Sequence, residues 1–216
     1  MATPPFRVAV LISGTGTNLQ ALLDTVHGQR VAPEGPDTIE IAAVASSHTG
    51  APGLQRAERA GVETAVFAIS DHPDRPARDR ALGDWLEARG IDLVVLAGFM
   101  ELLGPEFVRR FRNRIVNVHP SLLPAFPGVG AIEQAVEHGA RVTGVTVHFV
   151  DEHLDNGPIV SQEALELSYP ARIAEIEQRV HALEHRLLPR AVRLIAAGRV
   201  RIDPHNPRVV LVDDVD

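Results

Sequence analysis

An alternation of short apolar runs with helical segments is the feature that most constrains the fold of this chain. Several of the runs are apolar throughout, which is typical of strands in a parallel sheet whose two faces are both covered by helices. We therefore predict an α/β fold with an open, mostly parallel sheet of nucleotide-binding (Rossmann-like) type flanked by helices. Within residues 1–100 the predicted elements are strand Arg7–Ile12, helix Asn18–Val26, strand Ile39–Ala45, helix Leu54–Ala60, strand Glu63–Ala68, helix Pro76–Arg89 and strand Ile91–Leu96.

The pattern beyond residue 100 indicates a mixed arrangement with a terminal hairpin. The alternation from Gly198 onward continues on both sides of a Pro and Asn turn, which predicts that hairpin. A chain of 216 residues fits one domain. We predict one domain over 1–216, with a phosphate-binding half at 1–100, a second half at 101–200 and a hairpin or tail at 201–216. The other predicted elements are strands Arg114–Val118, Val142–Val150 and Gly157–Leu167, and helices Ile132–His138 and Arg172–Ala197.

Composition narrows the chemistry that the chain can use. It contains no Cys, and all 21 residues counted as Lys or Arg are Arg, which excludes thiolates, a Schiff-base lysine and the lysine of a Walker-type phosphate loop. Catalysis would then depend on His, carboxylate and amide side chains. The net charge of -7 argues against nucleic-acid binding and favours small-molecule substrates. No apolar run reaches membrane-spanning length and no signal peptide is evident, so we expect no membrane association and a cytoplasmic location.

A glycine-rich turn, Gly14–Asn18, lies between the first predicted strand and the first helix. Backbone N–H groups and the helix dipole favour an anion at such a position, so the turn predicts a phosphate site. Leu19 stands where a dinucleotide fingerprint has its third glycine, and the second strand ends in Ser46-Ser47 rather than in an acidic residue. A nicotinamide cofactor is therefore disfavoured. The alternative is a tight turn that needs glycine only for its backbone conformation.

The segment Asn117–Pro124 lies at the C-terminal end of a predicted strand, where open α/β sheets bind their ligands. Asn117 and His119 point to the same side of a strand, and together they can stabilise an oxyanion and move a proton. Asp155 lies in an acidic loop after the strand Val142–Val150, and a carboxylate beside His119 would orient it and favour its protonated form. Each residue could instead serve only a turn or a core. A metal site is a further alternative, built from His119, His148, His153 and Asp155.

Several motifs carry a resemblance to a known family. The segments NVHPSLLP and TGVTVHFVDEHLDNGPI resemble the signature of the folate-dependent formyltransferases. The segments VLISGTGTNLQAL, LAGFMELL and RVHALEH resemble, in the same order, the branch of that family that acts on phosphoribosylglycinamide. The resemblance implies transfer of the formyl group of 10-formyltetrahydrofolate to the glycine amine of 5-phosphoribosylglycinamide in purine biosynthesis. It also implies a monomer or homodimer without a metal.

The same resemblance assigns roles to individual residues. It implies that Asn117, His119 and Asp155 are catalytic, with His119 as proton donor. The glycinamide ribotide would be held at its phosphate and at its ribose by Gly16, Thr17, Asn18, His181 and Glu184. The formyl-folate site would comprise Arg75, Met100, Glu101, Leu102, Leu103, Asn117, Asp151, Glu152, His153, Leu154 and Asp155. With neither Cys nor Lys available, we expect direct attack of the amine through a tetrahedral intermediate.

Some positions depart from the family pattern, and some interpretations stay open. Gly130 and Ile132 stand where relatives often have histidine, and Glu101 replaces a basic residue of some relatives. Glu184 could be a solvated helix carboxylate, and Arg75 could simply precede the helix that Pro76 opens. The alternative functions are another folate-dependent formyltransferase, a formyl-folate hydrolase, or a non-catalytic nucleotide-binding module.

Overall fold

The computed structural model describes residues 4–31, 36 and 38–213. The strands are β1 Phe6–Ile12, β2 Ile39–Ser46, β3 Glu63–Val66, β4 Leu93–Leu96, β5 Ile115–His119, β6 Val142–Phe149, β7 Ile159–Glu166, β8 Val200–Ile202 and β9 Val210–Val212. The helices are α1 Thr17–Thr25, α2 Pro52–Arg59, α3 Arg75–Glu87, α4 Pro105–Arg110, α5 Ala131–Glu137 and α6 Ile173–Ala196. Within the described residues, no helix combines the length and the apolar character needed to cross a bilayer.

Seven strands form one sheet in the order β3-β2-β1-β4-β5-β6-β7. The first five strands along the chain pair in parallel, whereas β6 and β7 are antiparallel to their neighbours. Strands β8 and β9 form a separate antiparallel hairpin. The predicted Rossmann-like α/β fold, the mixed second half and the terminal hairpin are thus confirmed.

Alternate residues of the central strands enter two different apolar cores. Val8, Val10 and Ile12 of β1 pack on one face with residues of α1, α2, α5 and α6. Ala9 and Leu11 pack on the opposite face with residues of α3 and α4. Because successive side chains of a strand point to opposite faces, an apolar strand such as β1 is stable only between two helical layers.

The structure differs from the prediction in a few elements. Helix α4 was not predicted, although Gly104-Pro105-Glu106 places a proline and an acidic residue in its first turn, which favours helix initiation. The third strand ends at Val66 rather than at Ala68, because the chain turns there into a short 3-10 helix, Ile69–Asp71. Helix α6 is continuous through Pro189.

The sheet order fixes where ligands can bind. Strand β1 lies between β2 and β4, so the connections that leave β1 and β4 run to opposite sides of the sheet. Such a switch point opens a crevice at the carboxyl ends of the strands. The stretches that follow β1, β4 and β5 meet there, which brings together the glycine turn, the segment after Leu96 and the loop after His119.

Candidate active site

The glycine turn after β1 is built for close packing and leaves the start of α1 open. Gly16 precedes α1 with φ 70°, in the left-handed region, and a Cβ placed there would lie 2.7 Å from the Cα of Gly53. The N–H of Gly53 donates to the carbonyl of Gly14 at 3.1 Å, which fixes the turn against α2. Among the described residues, no side chain forms a capping hydrogen bond with α1, and no acidic residue stands in its first turn. An anion can therefore approach the free N–H groups of this helix.

A hydrogen bond joins the glycine turn to α6. The Nδ2 of Asn18 donates to the Oε2 of Glu184 at 3.0 Å, and both side chains are buried. Burial raises the pKa of Glu184 above its ordinary value, and the bond from Asn18 and the charges of His181 and His119 oppose this shift. Glu184 is thus a buried acceptor beside the turn rather than a solvated carboxylate, and exposed His181 lies near it on α6.

His119 is held between two acceptors. Its Nε2 lies 2.8 Å from the carbonyl oxygen of Phe126, so Nε2 carries a proton, because a carbonyl can only accept. Its Nδ1 lies 3.4 Å from the Oδ2 of Asp155, which also accepts the backbone N–H of Gly128 at 2.7 Å. Both ring nitrogens of His119 thus face oxygen atoms, which fixes the orientation of the imidazole.

Asn117 and His148 complete the cluster around Asp155. The Nδ2 of Asn117 lies 3.4 Å from the Oδ1 of Asp155 and 3.3 Å from the Nε2 of His148. Burial lowers the pKa of His148, and its Nδ1 lies 2.8 Å from the carbonyl of Phe149. Neutral His148 therefore carries its proton on Nδ1 and accepts from Asn117 through Nε2. Its 3.7 Å approach to Asp155 is accordingly not an ion pair.

Apart from Asn117, the predicted folate residues lie on three parts of the chain: Arg75, Met100–Leu103 and Asp151–Asp155. Arg75 begins α3 and is exposed, and it forms no hydrogen bond or ion pair with the other predicted folate residues in the described part of the chain. Three apolar side chains point to solvent: Met100 is 76% exposed, Leu102 56% and Leu154 60%. Leu103 and Glu101 are half-buried.

The loop from Asp151 to Asp155 has its own contacts. Asp151 accepts the backbone N–H of His153 at 2.8 Å, and the Oε1 of Glu152 lies 3.1 Å from the Nη1 of Arg109 on α4. The imidazole of His153 lies 3.8 Å from Asp151 and is 78% exposed, whereas His119 and His148 are buried. Among the described residues, no three His, Asp or Glu side chains are placed to hold a metal ion.

Several contributors to the site were not predicted from the sequence. The carbonyl of Phe126 orients His119, and the N–H of Gly128 orients Asp155. Ser13 accepts the backbone N–H of Met100 at 2.8 Å, which joins the glycine turn to the segment after β4. The first two contacts come from the backbone, which residue types do not reveal. Ser13 gave no signal beyond its place beside the turn.

Comparison with known proteins identifies the family. A family model described as "Formyl transferase" matches residues 6–192. The chain is 39% identical to the phosphoribosylglycinamide formyltransferase of Haemophilus influenzae, over 91% of this chain and 90% of that protein. It is 44% identical to the human trifunctional purine biosynthetic protein adenosine-3, over 91% of this chain but only 19% of that much longer protein.

A solved structure gives the same result. Glycinamide ribonucleotide transformylase 1 from Symbiobacterium toebii is 45% identical to this chain and superposes with a TM-score of 0.90, covering 97% of this chain and 95% of that one. The family model and this structural likeness both extend over the glycine turn, His119 and Asp155. The chain therefore belongs to the formyl transferase family.

Proposed function

We propose that the chain transfers the formyl group of 10-formyltetrahydrofolate to the glycine amine of 5-phosphoribosylglycinamide, giving formylglycinamide ribonucleotide in purine biosynthesis. The observation that carries this proposal is the convergence of an amide, an imidazole and a carboxylate, from Asn117, His119 and Asp155, at the carboxyl edge of the sheet. They lie near a helix N-terminus that is open to a phosphate.

The ribotide would bind between the glycine turn and α6. Its phosphate would accept N–H groups of Gly16, Thr17 and Asn18, and the helix dipole favours its negative charge. Its ribose hydroxyls would donate to Glu184, which the side chain of Asn18 holds in place. His181 would add a donor near the phosphate. A buried acceptor beside an open helix start suits a phosphorylated sugar, which carries acceptors and donors a few ångströms apart.

The reduced folate would bind along the segment after β4 and the loop that ends at Asp155. Exposed Met100, Leu102 and Leu154 offer apolar surface to a flat ring system. Leu103, Glu101 and the loop Asp151–Leu154 would supply further contacts, and Arg75 would attract the carboxylates of the folate tail. No metal is needed for this binding.

The reaction needs one bond to form and one to break. The substrate amine attacks the formyl carbon, and the resulting oxyanion accepts an N–H of Asn117. The present contacts of that amide are 3.3 and 3.4 Å long, so they are readily exchanged for a closer acceptor. His119, oriented by Phe126 and Asp155, gives a proton to the folate nitrogen as the carbon–nitrogen bond breaks. The proton that the amine loses returns to His119.

A turnover assay tests this function against the alternatives. The purified chain is mixed with 10-formyltetrahydrofolate and the ribotide, and the products are identified by mass spectrometry. We expect formylglycinamide ribonucleotide and tetrahydrofolate in equal amounts, with no release of formate when the ribotide is omitted. Formate release without the ribotide would identify a hydrolase. Binding of both compounds without any product would identify a non-catalytic module.

We further propose that residues 1–216 act as one functional unit in the cytoplasm, as a monomer or a homodimer. The hydrogen bond between Asn18 and Glu184 supports a single unit, because it joins the predicted phosphate-binding half to the second half. The absence of Cys fits a reducing compartment. Sedimentation equilibrium of the purified chain, with and without the ribotide, measures its oligomeric state. A trimer or larger assembly would contradict the proposal.

A further inference from the structure

A fully buried arginine lies beneath the segment that follows β4. Arg78 on α3 is 0% exposed, and its Nη2 donates to the carbonyl of Leu102 at 3.2 Å. Its guanidinium carbon lies 5.7 Å from the centre of the Phe99 ring. The neighbouring Asp79, 5% exposed, accepts the backbone N–H of Gly104 through Oδ2 at 2.7 Å. Two adjacent charged residues of one helix therefore contact both ends of Phe99–Gly104.

The pair is poorly explained as a packing element of the core. The Nε of Arg78 and the Oδ1 of Asp79 lie 2.8 Å apart, within ion-pair distance, yet neither atom makes a well-directed hydrogen bond. The buried Nη1 of Arg78 has no hydrogen-bond partner among the described residues. Burying charges costs several kcal/mol for each ion unless the geometry is good, and apolar residues of similar volume often replace such pairs without loss. The contacts that do have good geometry go to the backbone of the segment.

The segment needs such support because its own side chains anchor it only in part: Phe99 and Leu103 pack against the apolar core that contains α3 and α4. Met100 and Leu102 point to solvent, so they contribute little packing energy to the position of the backbone. At its front, the N–H of Met100 donates to Ser13. Toward its C-terminal end, the side-chain hydrogen bonds that described residues make to the backbone of the segment are those of Arg78 and Asp79. Without them, only the half-buried side chain of Leu103 would tie the end of the segment to the apolar core of α3 and α4.

We propose that Arg78 and Asp79 are positioning residues that fix Leu102–Gly104, and thereby set the affinity for the reduced folate. The inference rests on the proposed function, because it takes Met100–Leu103 as part of the folate site. The two residues touch neither substrate and act only through the backbone. Their loss should weaken folate binding and leave the ribotide site unchanged, since that site lies on the glycine turn and α6.

The test removes the pair without leaving an isolated buried charge. In the double variant Arg78→Met, Asp79→Ala, both charges and both hydrogen bonds to the backbone of the segment are absent. We expect the KM for 10-formyltetrahydrofolate to rise about tenfold or more, while the KM for the ribotide and the kcat at saturating folate stay near the parental values. A merely structural role would lower the fraction of active protein and so reduce kcat without changing either KM.

Two further variants keep the test decisive. Gly104→Pro removes the N–H that donates to Asp79 and sets ring carbons against that carboxylate, since even a Cβ at Gly104 would lie 3.0 Å from its Oδ2. Gly104 has φ -70°, which proline can adopt. It should raise the folate KM in the same way. Leu86→Ala, in the apolar core beneath the same helix, serves as a control for loss of stability and should leave both KM values unchanged.

The outcomes separate the two proposals. If the parent chain forms no formylated ribotide, the proposed function fails. If the parent is active and either folded variant retains the parental KM for the folate, the positioning role is wrong. Should the double variant not fold, Gly104→Pro alone decides the matter, because it changes the segment rather than the core.

Discussion

Replacing Gly16 by alanine tests whether the glycine turn is held in place by its contact with α2. Gly16 has φ 70°, and an L-residue in the left-handed region costs roughly 1–2 kcal/mol, offset by about 0.4–1 kcal/mol because alanine restricts the unfolded chain. The new Cβ would lie 2.7 Å from the Cα of Gly53, a backbone atom that cannot rotate away. Overpacking of this kind adds about 1–3 kcal/mol. The total loss of unfolding free energy is therefore about 1–5 kcal/mol.

Gly28 provides a matched control for the conformational cost of placing alanine at a positive φ. It has φ 72°, and a Cβ placed there would meet no atom within 4 Å. Gly28→Ala should therefore lose only the conformational part, about 0–2 kcal/mol. The difference between the two variants isolates the clash with α2, which we expect to be about 1–3 kcal/mol.

Urea unfolding followed by the fluorescence of the single tryptophan, Trp85, measures both losses. Steady-state kinetics on the same proteins should show a raised KM for the ribotide in Gly16→Ala, because a displaced turn moves the N–H groups that hold the phosphate. The KM for the folate should not change, and Gly28→Ala should leave both KM values at the parental level. Equal destabilisation by the two substitutions, or a parental ribotide KM in Gly16→Ala, would refute the reasoning.

Three further substitutions give separate expectations. Asn117→Ala should lower kcat about 10²- to 10³-fold, as loss of an oxyanion donor does, and a nearly parental kcat contradicts that role. Burial raises the pKa of Glu184 above its ordinary value of 4.5. Between these two pKa values the folded state binds more protons than the unfolded chain, so the stability of the parent falls as the pH rises through this range. Glu184→Gln should therefore be more stable than the parent at about pH 7, lose that advantage below about pH 4, and bind the ribotide more weakly. Urea unfolding at both pH values and titration with the ribotide measure these effects. Equal stability of the two proteins at neutral pH would contradict the expectation. Arg109→Ala breaks an exposed ion pair with Glu152 and should change the unfolding free energy by less than about 1 kcal/mol in urea; a larger loss would show that the pair does more than a surface contact.

The fold was predictable because residue patterns reflect burial directly. The apolar run of β1 indicated a strand covered on both faces, and Val10 and Leu11 do enter opposite cores. Helix α4 was not predicted because its apolar stretch is short, with Phe107 and Val108 as its buried residues. The strand order cannot be derived from such patterns, because it depends on how the crossovers pack.

The candidate site was predictable in part. The spacing of Asn117 and His119 placed them on one side of β5, but nothing in the spacing brought Asp155 to them; that expectation came from the family resemblance. His148 joins the cluster because the antiparallel register sets it opposite Asn117. A register of this kind depends on the pairing of two distant strands, so the sequence indicated His148 only as a core residue or a metal ligand.

Arg78 shows a different limit of the sequence. Its position within α3 gave no sign that it would be buried, since arginine is usually exposed. The fold places it under Phe99 and beside Asp79, and only the three-dimensional contacts reveal what it holds.

A double-mutant cycle on His119 and Asp155 tests most directly whether the two side chains act as one catalytic unit. Turnover is measured for the parent, His119→Ala, Asp155→Asn and the double variant, with both substrates saturating. If Asp155 acts through His119, each single substitution lowers kcat strongly, and the double variant is about as slow as His119→Ala alone. Losses that multiply in the double variant, or near-parental turnover in either single variant, would contradict the account.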